Sequence, residues 1–380
     1  MSAPIPARSV RPPAEVVYAR ELAALAATDT ETRPPGWKLS PRAVRTFVIG
    51  SEDQDRGSSQ GRSRKKTVIT RKFYGDDPLV ERCIITLLGR RGLLLVGEPG
   101  TAKSMLSELL AAAISGTSQL TLQGTAGTTD DQIRYTWNYA LLLAEGPSPR
   151  ALVPSPLYRG MQEGLLVRFE ELTRCQPEIQ DTLVSVLSEQ CLQVPELPGA
   201  DGVLFAARGF NLIATANLRD RGVHEMSGAL KRRFNFETVV PLQDKAMELR
   251  LVREQVEQLL QEAQVQVSCP LEVLDLLVTT FQDLRQGRTG EGTVVEKPST
   301  VLSTAEAVAV GHAAALEAAH FGSGVMEPTH VARHLLGTVL KDNPDDLPRV
   351  RHYFDAVVKV RGQSSPVWEA FHQARQWFHR

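Results

Sequence analysis

The chain has 380 residues, 42% of them hydrophobic and 6% aromatic, and its 43 Lys plus Arg against 44 Asp plus Glu give a formal net charge of -1. That composition describes a globular chain with room for two or three domains, and it excludes a general electrostatic grip on a nucleic-acid backbone while leaving a local basic groove open. Cys83, Cys175, Cys191 and Cys269 lie far apart with no C-x-x-C pair, which argues against a zinc ribbon, a thioredoxin-like motif or a disulfide framework and fits a reducing, cytoplasmic setting. No apolar run approaches the roughly 18 to 20 residues that cross a bilayer, and MSAPIPARSVRPP lacks the apolar stretch of a signal peptide, so no membrane span is expected.

Residues 1–66 form a first region, an N-terminal helical extension and a linker. Two helical stretches stand out in it, AEVVYARELAALAA and SPRAVRTFVIG, the second with Ser40 as N-cap and Pro41 as first helical residue. TETRPPGWKL reads as a loop, and SEDQDRGSSQGRSRKK as a flexible linker whose Arg62, Arg64, Lys65 and Lys66 read first as solvated, with contact to phosphates as the alternative.

Residues 67–242 alternate strand-length apolar runs (LLLV, LTLQ, LLVRF, NLIATA, FETVV) with amphipathic helices, the pattern of a mostly parallel sheet covered by helices. Residues 243–380 carry no comparable strand signal. KAMELRLVREQVEQLLQEA, PLEVLDLLVTTFQDLRQG, STAEAVAVGHAAALEAAHF and PTHVARHLLGTVLKD each place apolar residues at helical spacing, with a capping box at Ser303 and Glu306, so a helical second domain is expected.

The chemistry lies in the middle region. After LLLV comes GEPGTAKS, from Gly97 through Glu98, Pro99, Gly100, Thr101, Ala102 and Lys103 to Ser104, followed by a helix that stops at Gly116. Strand, glycine-containing loop, Lys-Ser and helix in that order make a phosphate-binding loop: backbone N–H groups turn inward, Lys103 reaches the β and γ phosphates, and the Ser104 hydroxyl ligates Mg²⁺. Ala102 stands where glycine is usual, and its methyl group is expected to be tolerated in helical φ/ψ. LLVRFEE then ends in Glu170 and Glu171, a metal-shell acid and a candidate base for the attacking water. Asn217, at the end of NLIATA, suits a bridge between water and γ-phosphate, and Lys231, Arg232 and Arg233 form a cluster able to act as an arginine finger.

Taken together, GEPGTAKS, LVPSPLYRGMQEGLLVRFEE with its following helix, NLIATAN and ALKRRF resemble the AAA+ ATPases, and specifically the MoxR family, over residues 68 to 320. The resemblance implies an α/β core with a five-stranded sheet of order 5-1-4-3-2, then a helical lid. It implies Walker A roles for Gly97, Gly100, Lys103 and Ser104, Walker B roles for Glu170 and Glu171, sensor 1 for Asn217 and a trans-acting finger for Arg233. Tyr74 and Gly75 match the segment that passes the adenine. ATP and Mg²⁺ are the implied cofactors, a ring, commonly a hexamer, the implied assembly, and a protein with a von Willebrand factor A domain the implied partner class. Val301 falls in the place of the sensor 2 arginine, which predicts a loosely coupled lid and slow basal turnover.

A nucleic-acid motor and a nucleotide-binding scaffold with little catalysis are the competing readings, the first disfavoured by the near-neutral charge. Tyr135, Trp137 and Tyr139 lie in a Gly- and Thr-rich insert and either grip a client or pack within it. His330 and His334, four apart, lack a third metal ligand and read as ordinary helix histidines.

Overall fold

The computed structural model describes residues 11–51, 68–217, 222–341 and 343–379, so the linker and its basic cluster lie outside the described residues. The chain divides into two compact units, one of Met1–Gly97 with Ala102–Val239, the other of Glu98–Thr101 with Val240–Arg380.

Among its described residues the first unit carries nine strands: β1 (Gly92–Val96), β2 (Thr121–Gln123), β3 (Tyr135–Trp137), β4 (Leu152–Pro154), β5 (Leu166–Glu170), β6 (Cys191–Gln193), β7 (Val203–Phe205), β8 (Asn211–Ala216) and β9 (Phe234–Thr238). Five of them form one sheet in the order β2-β5-β8-β1-β9, every pair parallel. Numbering these five along the chain gives 5-1-4-3-2, the expected order. The last strand starts at Phe234, two residues before the apolar run that announced it. The remaining four make two antiparallel hairpins, β3-β4 and β6-β7.

β1, β5 and β8 are buried at every residue, because helices cover both faces of the sheet. Leu93 and Leu95 pack on the side of helices Pro41–Ile49, Asp77–Leu88 and Lys103–Ser115, while Leu94 and Val96 join Val167, Phe169 and Leu212 against Pro156–Glu163 and Pro177–Glu189. Alternation of side chains across a strand makes an unbroken Leu-Val run the natural solution when neither face meets water.

The N-terminal region supplies part of this interior. Trp37, Leu39, Val44, Phe47 and Val48 are buried in the same core as Leu93 and Leu106. Ser40 caps its helix by accepting the Ala43 N–H at 3.3 Å. The first helical stretch is broken at Tyr18 into Ala14–Val17 and Ala19–Thr28. Lys72, buried, donates to Glu21 at 2.5 Å and to the carbonyls of Phe47 and Thr70, with its ammonium 4.7 Å and 4.5 Å from the ring centres of Tyr18 and Phe47.

The second unit is built from helices Lys245–Glu262, Leu271–Gln286, Thr304–Phe321, Pro328–Val339, Asp346–Tyr353 and Pro366–Gln373, around Val252, Val256, Leu277, Phe281, Ala314, Leu335, Tyr353 and Phe371. Glu248 is fully buried but paired: Arg285 donates to it at 2.7 Å, Thr304 at 2.6 Å and Gln282 at 2.7 Å. Asp283 likewise accepts from Tyr353 at 2.9 Å and Arg361 at 2.7 Å. None of the described helices is long and apolar enough to cross a membrane.

Candidate functional site

Three adjacent parallel strands, β1, β8 and β5, end on the same edge of the sheet, and Gly97, Asn217 and Glu170–Glu171 are what stand at those ends. Open α/β sheets place ligands at the carboxyl ends of their strands, so this edge is where chemistry is expected on physical grounds.

β1 leads through Gly97–Ala102 into the helix Lys103–Ser115, whose first turn has no side-chain cap and which stops at Gly116 in the left-handed region. Within the loop the Thr101 hydroxyl donates to the Glu98 carbonyl at 2.9 Å, and the buried Lys103 ammonium donates to the Gly97 carbonyl at 2.9 Å. Gly100 has φ 74°, a conformation that glycine adopts without strain. Ala102 has the same left-handed backbone, at φ 65° and ψ 23°. This corrects the expectation of a helical alanine: the residue is left-handed, and its methyl group costs about 1 to 2 kcal/mol there. The strain persists because the helix on one side and the loop on the other fix the chain.

β5 delivers the acids. Glu170 is buried, and its carboxylate accepts from Ser104 and Thr215 on Oε2, both at 2.7 Å, and from Arg168 at 2.7 Å and Ser107 at 2.8 Å on Oε1. Burial pushes its carboxyl up, but the Arg168 charge and the hydroxyls of Ser104, Thr215 and Ser107 outweigh that and hold it below the usual range. Ser104 is an exposed residue, and its hydroxyl hydrogen is given to Glu170.

Glu171 turns the chain. It is left-handed, with φ 56° and ψ 44°, its N–H donates to the Thr215 hydroxyl at 3.0 Å, and its partly exposed carboxylate faces Arg174 at 3.4 Å. A left-handed non-glycine residue at a strand end is the kind of local strain that functional sites retain. Gly124, after β2, makes room for it. Its N–H donates to the Glu170 carbonyl at 2.7 Å, and a Cβ there would stand 2.3 Å from the Glu171 carbonyl oxygen.

Asn217, buried, follows β8 directly. Tyr74 and Gly75 precede the helix Asp77–Leu88, where the Arg71 guanidinium stacks over the Tyr74 ring and donates to the Gly75 carbonyl. Arg233 sits just before β9, donating to the Ser188 hydroxyl at 2.7 Å and the Ala229 carbonyl at 2.9 Å, whereas the exposed Arg232 makes no side-chain hydrogen bond among the described residues. In the second unit Val301 lies outside the helix, which begins at Thr304 with Ser303 and Glu306 closing the capping box. Its first turn, Thr304–Glu306, holds no arginine either.

In the insert, Tyr135 is buried, donates to Glu196 at 2.7 Å and stacks edge-on with Trp137, so these two rings pack within the unit. Tyr139, 65% exposed, opens a helix, Tyr139–Glu145, with no buried residue and with Leu143 at 88%. His330 accepts the Glu327 N–H at 3.0 Å as part of a cap, and His334 stands 3.0 Å from Glu317, so the two rings serve different partners.

Arg168, Ser107, Thr215 and Gly124 did not emerge from the motifs. The signal for the first was present: two residues apart on a strand, Arg168 and Glu170 share a face, and a charged residue inside an apolar run needs a partner on it.

A profile described as "AAA domain (dynein-related subfamily)" matches residues 92–234, and one described as "YehL-like AAA+ ATPase C-terminal domain" matches 246–379. The chain is thus an AAA+ protein with a nucleotide-binding P-loop fold. It is 50% identical to YehL of Escherichia coli K12 over 366 residues, 96% of each chain, and it belongs to the YehL family. SH1500 of Staphylococcus haemolyticus and SAUSA300_1302 of Staphylococcus aureus are 27% and 28% identical over 144 residues, 38% of this chain and 53% of theirs, so the chain spans about half the length of these relatives. Among solved structures, NtrX from Brucella abortus in complex with ADP aligns over 77% of this chain and 54% of its own, at 12% identity and a TM-score of 0.43.

Proposed function

We propose that the chain binds ATP with Mg²⁺, hydrolyses it, and works as a MoxR-like ring that remodels or matures a protein partner, one with a von Willebrand factor A domain being the first to seek. The observation that carries the reading is the 2.7 Å bond from Ser104 to Glu170, with Glu171 and Asn217 at the neighbouring strand ends. Those groups fit the ligands: an uncapped helix N-terminus and a lysine for phosphate oxygens, a hydroxyl oxygen whose hydrogen is already given to a carboxylate for Mg²⁺. Bound Mg²⁺ supplies charge neutralisation to the transferring phosphoryl group. Lys103 would hold phosphate, Glu171 would take the proton of the attacking water, Asn217 would orient that water, and Arg233 would serve the neighbouring subunit.

Titration calorimetry with ATP and a phosphate-release assay test this. Lys103→Ala should abolish binding, and Glu171→Gln should keep binding and stop release. Equal ATP affinity in Lys103→Ala and the parent would sink the phosphate-loop reading, and normal turnover in Glu171→Gln would move the base elsewhere.

A further inference from the structure

The bonding around Arg168 is complete on both sides. Arg168 and Glu170 are 8% and 6% exposed and share the face of β5 that meets the helix Lys103–Ser115. The guanidinium directs Nη2 at Glu170 Oε1 (2.7 Å) and the Ser104 carbonyl (3.0 Å), Nε at the Ser107 hydroxyl (2.9 Å), and Nη1 at the Ser118 carbonyl (3.2 Å) and Thr121 hydroxyl (3.5 Å). Its N–H donors, of which a guanidinium has five, are all engaged. Glu170 in turn faces four donors, two on each oxygen, with the single Ser107 hydrogen lying between it and the Ser104 carbonyl at 2.9 Å. An ionised carboxylate has about four acceptor sites, so Glu170 has little left to offer a metal ion directly.

We propose that Arg168 is a built-in counter-cation that makes capture of the divalent metal conditional on bound nucleotide. The inference rests on the reading of this edge as a nucleotide and Mg²⁺ site. A strand-end carboxylate without a partner attracts a divalent cation by itself. Glu170 does not, because its charge is cancelled from inside the protein, and its part is to accept the Ser104 hydrogen, which leaves the hydroxyl's lone pairs for the metal. Attraction for the metal then has to come from phosphate. Arg168 touches neither ligand and is a positioning residue, acting through Glu170 and the Ser104 carbonyl. Loss of its charge should therefore create a cation site that works without nucleotide, a gain that a merely structural residue would not give.

The probe is Mn²⁺, with free ion read by electron paramagnetic resonance during titration of the full chain, without nucleotide and with a non-hydrolysable ATP analogue. Arg168→Met keeps the stem and removes the charge. Nucleotide-free Arg168→Met should bind Mn²⁺ at least about tenfold more tightly than the parent, the size of effect typical of groups around a metal's ligands. Arg168→Lys should resemble the parent, and Arg168→Met with Glu170→Gln should lose the gain. Equal Mn²⁺ affinity in Arg168→Met and the parent, or a gain that survives Glu170→Gln, overturns the proposal. If Arg168→Met is unstable alone, Mn²⁺ should raise its unfolding temperature and leave the parent's unchanged. Failure of Mn²⁺ to stabilise it also overturns the proposal. A parent that binds no ATP analogue defeats the ATPase reading instead, and the nucleotide-free comparison still decides the role of Arg168.

Discussion

The Thr215 hydroxyl donates to Glu170 at 2.7 Å, and the same oxygen accepts the backbone N–H of Glu171 at 3.0 Å. One β8 side chain therefore ties both acids to the sheet. Thr215→Val keeps the shape and removes both bonds, leaving the part-buried Glu171 N–H without this partner at a cost of about 1 to 3 kcal/mol. Urea denaturation should show that loss. Phosphate release should fall as well, because Glu171 is no longer anchored. Unchanged stability would mean that the Glu171 turn is held from elsewhere.

Ala102→Gly is expected to stabilise the protein. Glycine removes about 1 to 2 kcal/mol of left-handed strain and returns roughly 0.5 to 1 kcal/mol through the freer unfolded chain, for a net gain below about 1.5 kcal/mol. Equilibrium unfolding measures it. A loss of stability would show that the methyl group's packing against the core around Leu106 outweighs the strain.

Arg233 holds Ser188 and the Ala229 carbonyl, and finger duty toward another subunit requires it to leave both. Arg233→Ala should leave ATP binding intact and depress hydrolysis by on the order of 10³. Mixing it with Glu171→Gln subunits should restore activity, since mixed rings contain junctions with both groups intact. If mixed rings form and no activity returns, the finger assignment passes to the exposed Arg232.

Acid sensitivity has a definite sign. In the second unit, hydrogen bonds from Arg361 and then Thr289 lower the Glu291 carboxyl from 4.5 to about 2. A lowered carboxyl contributes stability that is present above its unfolded value and lost as pH falls through the folded one. Glu291→Gln should therefore flatten the stability loss between pH 4.5 and about 2, most visibly at low salt, because Glu291 is exposed and its ion pair is screened. Melting curves across that range check it, and an unchanged slope would assign the acid transition to other carboxylates, Glu170 first.

The positions of the Gly97–Ser104 loop after β1 and of the two acids at the end of β5 were legible from the order of apolar runs and motifs, and the strand order agrees with the one the resemblance implies. What escaped was set by tertiary contact. Nothing near Ala102 in sequence announces φ 65°, because that value results from closing a loop between a buried strand and a buried helix. Thr215 reads as one more β-branched strand residue until β5 is laid beside β8. Gly124 reads as a turn residue, and its purpose appears only when the Glu171 carbonyl is found beside it. Arg168 is the exception, since its partner Glu170 lies two residues on in the same strand and the pairing was open to a reading of the strand's faces.

The buried Lys72 sets a limit on how far the chain can be shortened. Its ammonium draws on Glu21, Tyr18 and Phe47, all upstream of the profile-matched part, and burial already pushes that ammonium's pKa down despite them. A fragment that begins at residue 68, ahead of every nucleotide-binding motif, would keep the Lys72 ammonium, lose these three partners and also expose the surface that Trp37 and Val44 cover. Ala14 belongs to the same core and its N–H bonds Glu108 on the phosphate-loop helix, so trimming into this segment is expected to weaken the first unit. Proteolysis that removes residues 14–28 should register as a loss of nucleotide affinity at a distance, with every motif residue still present.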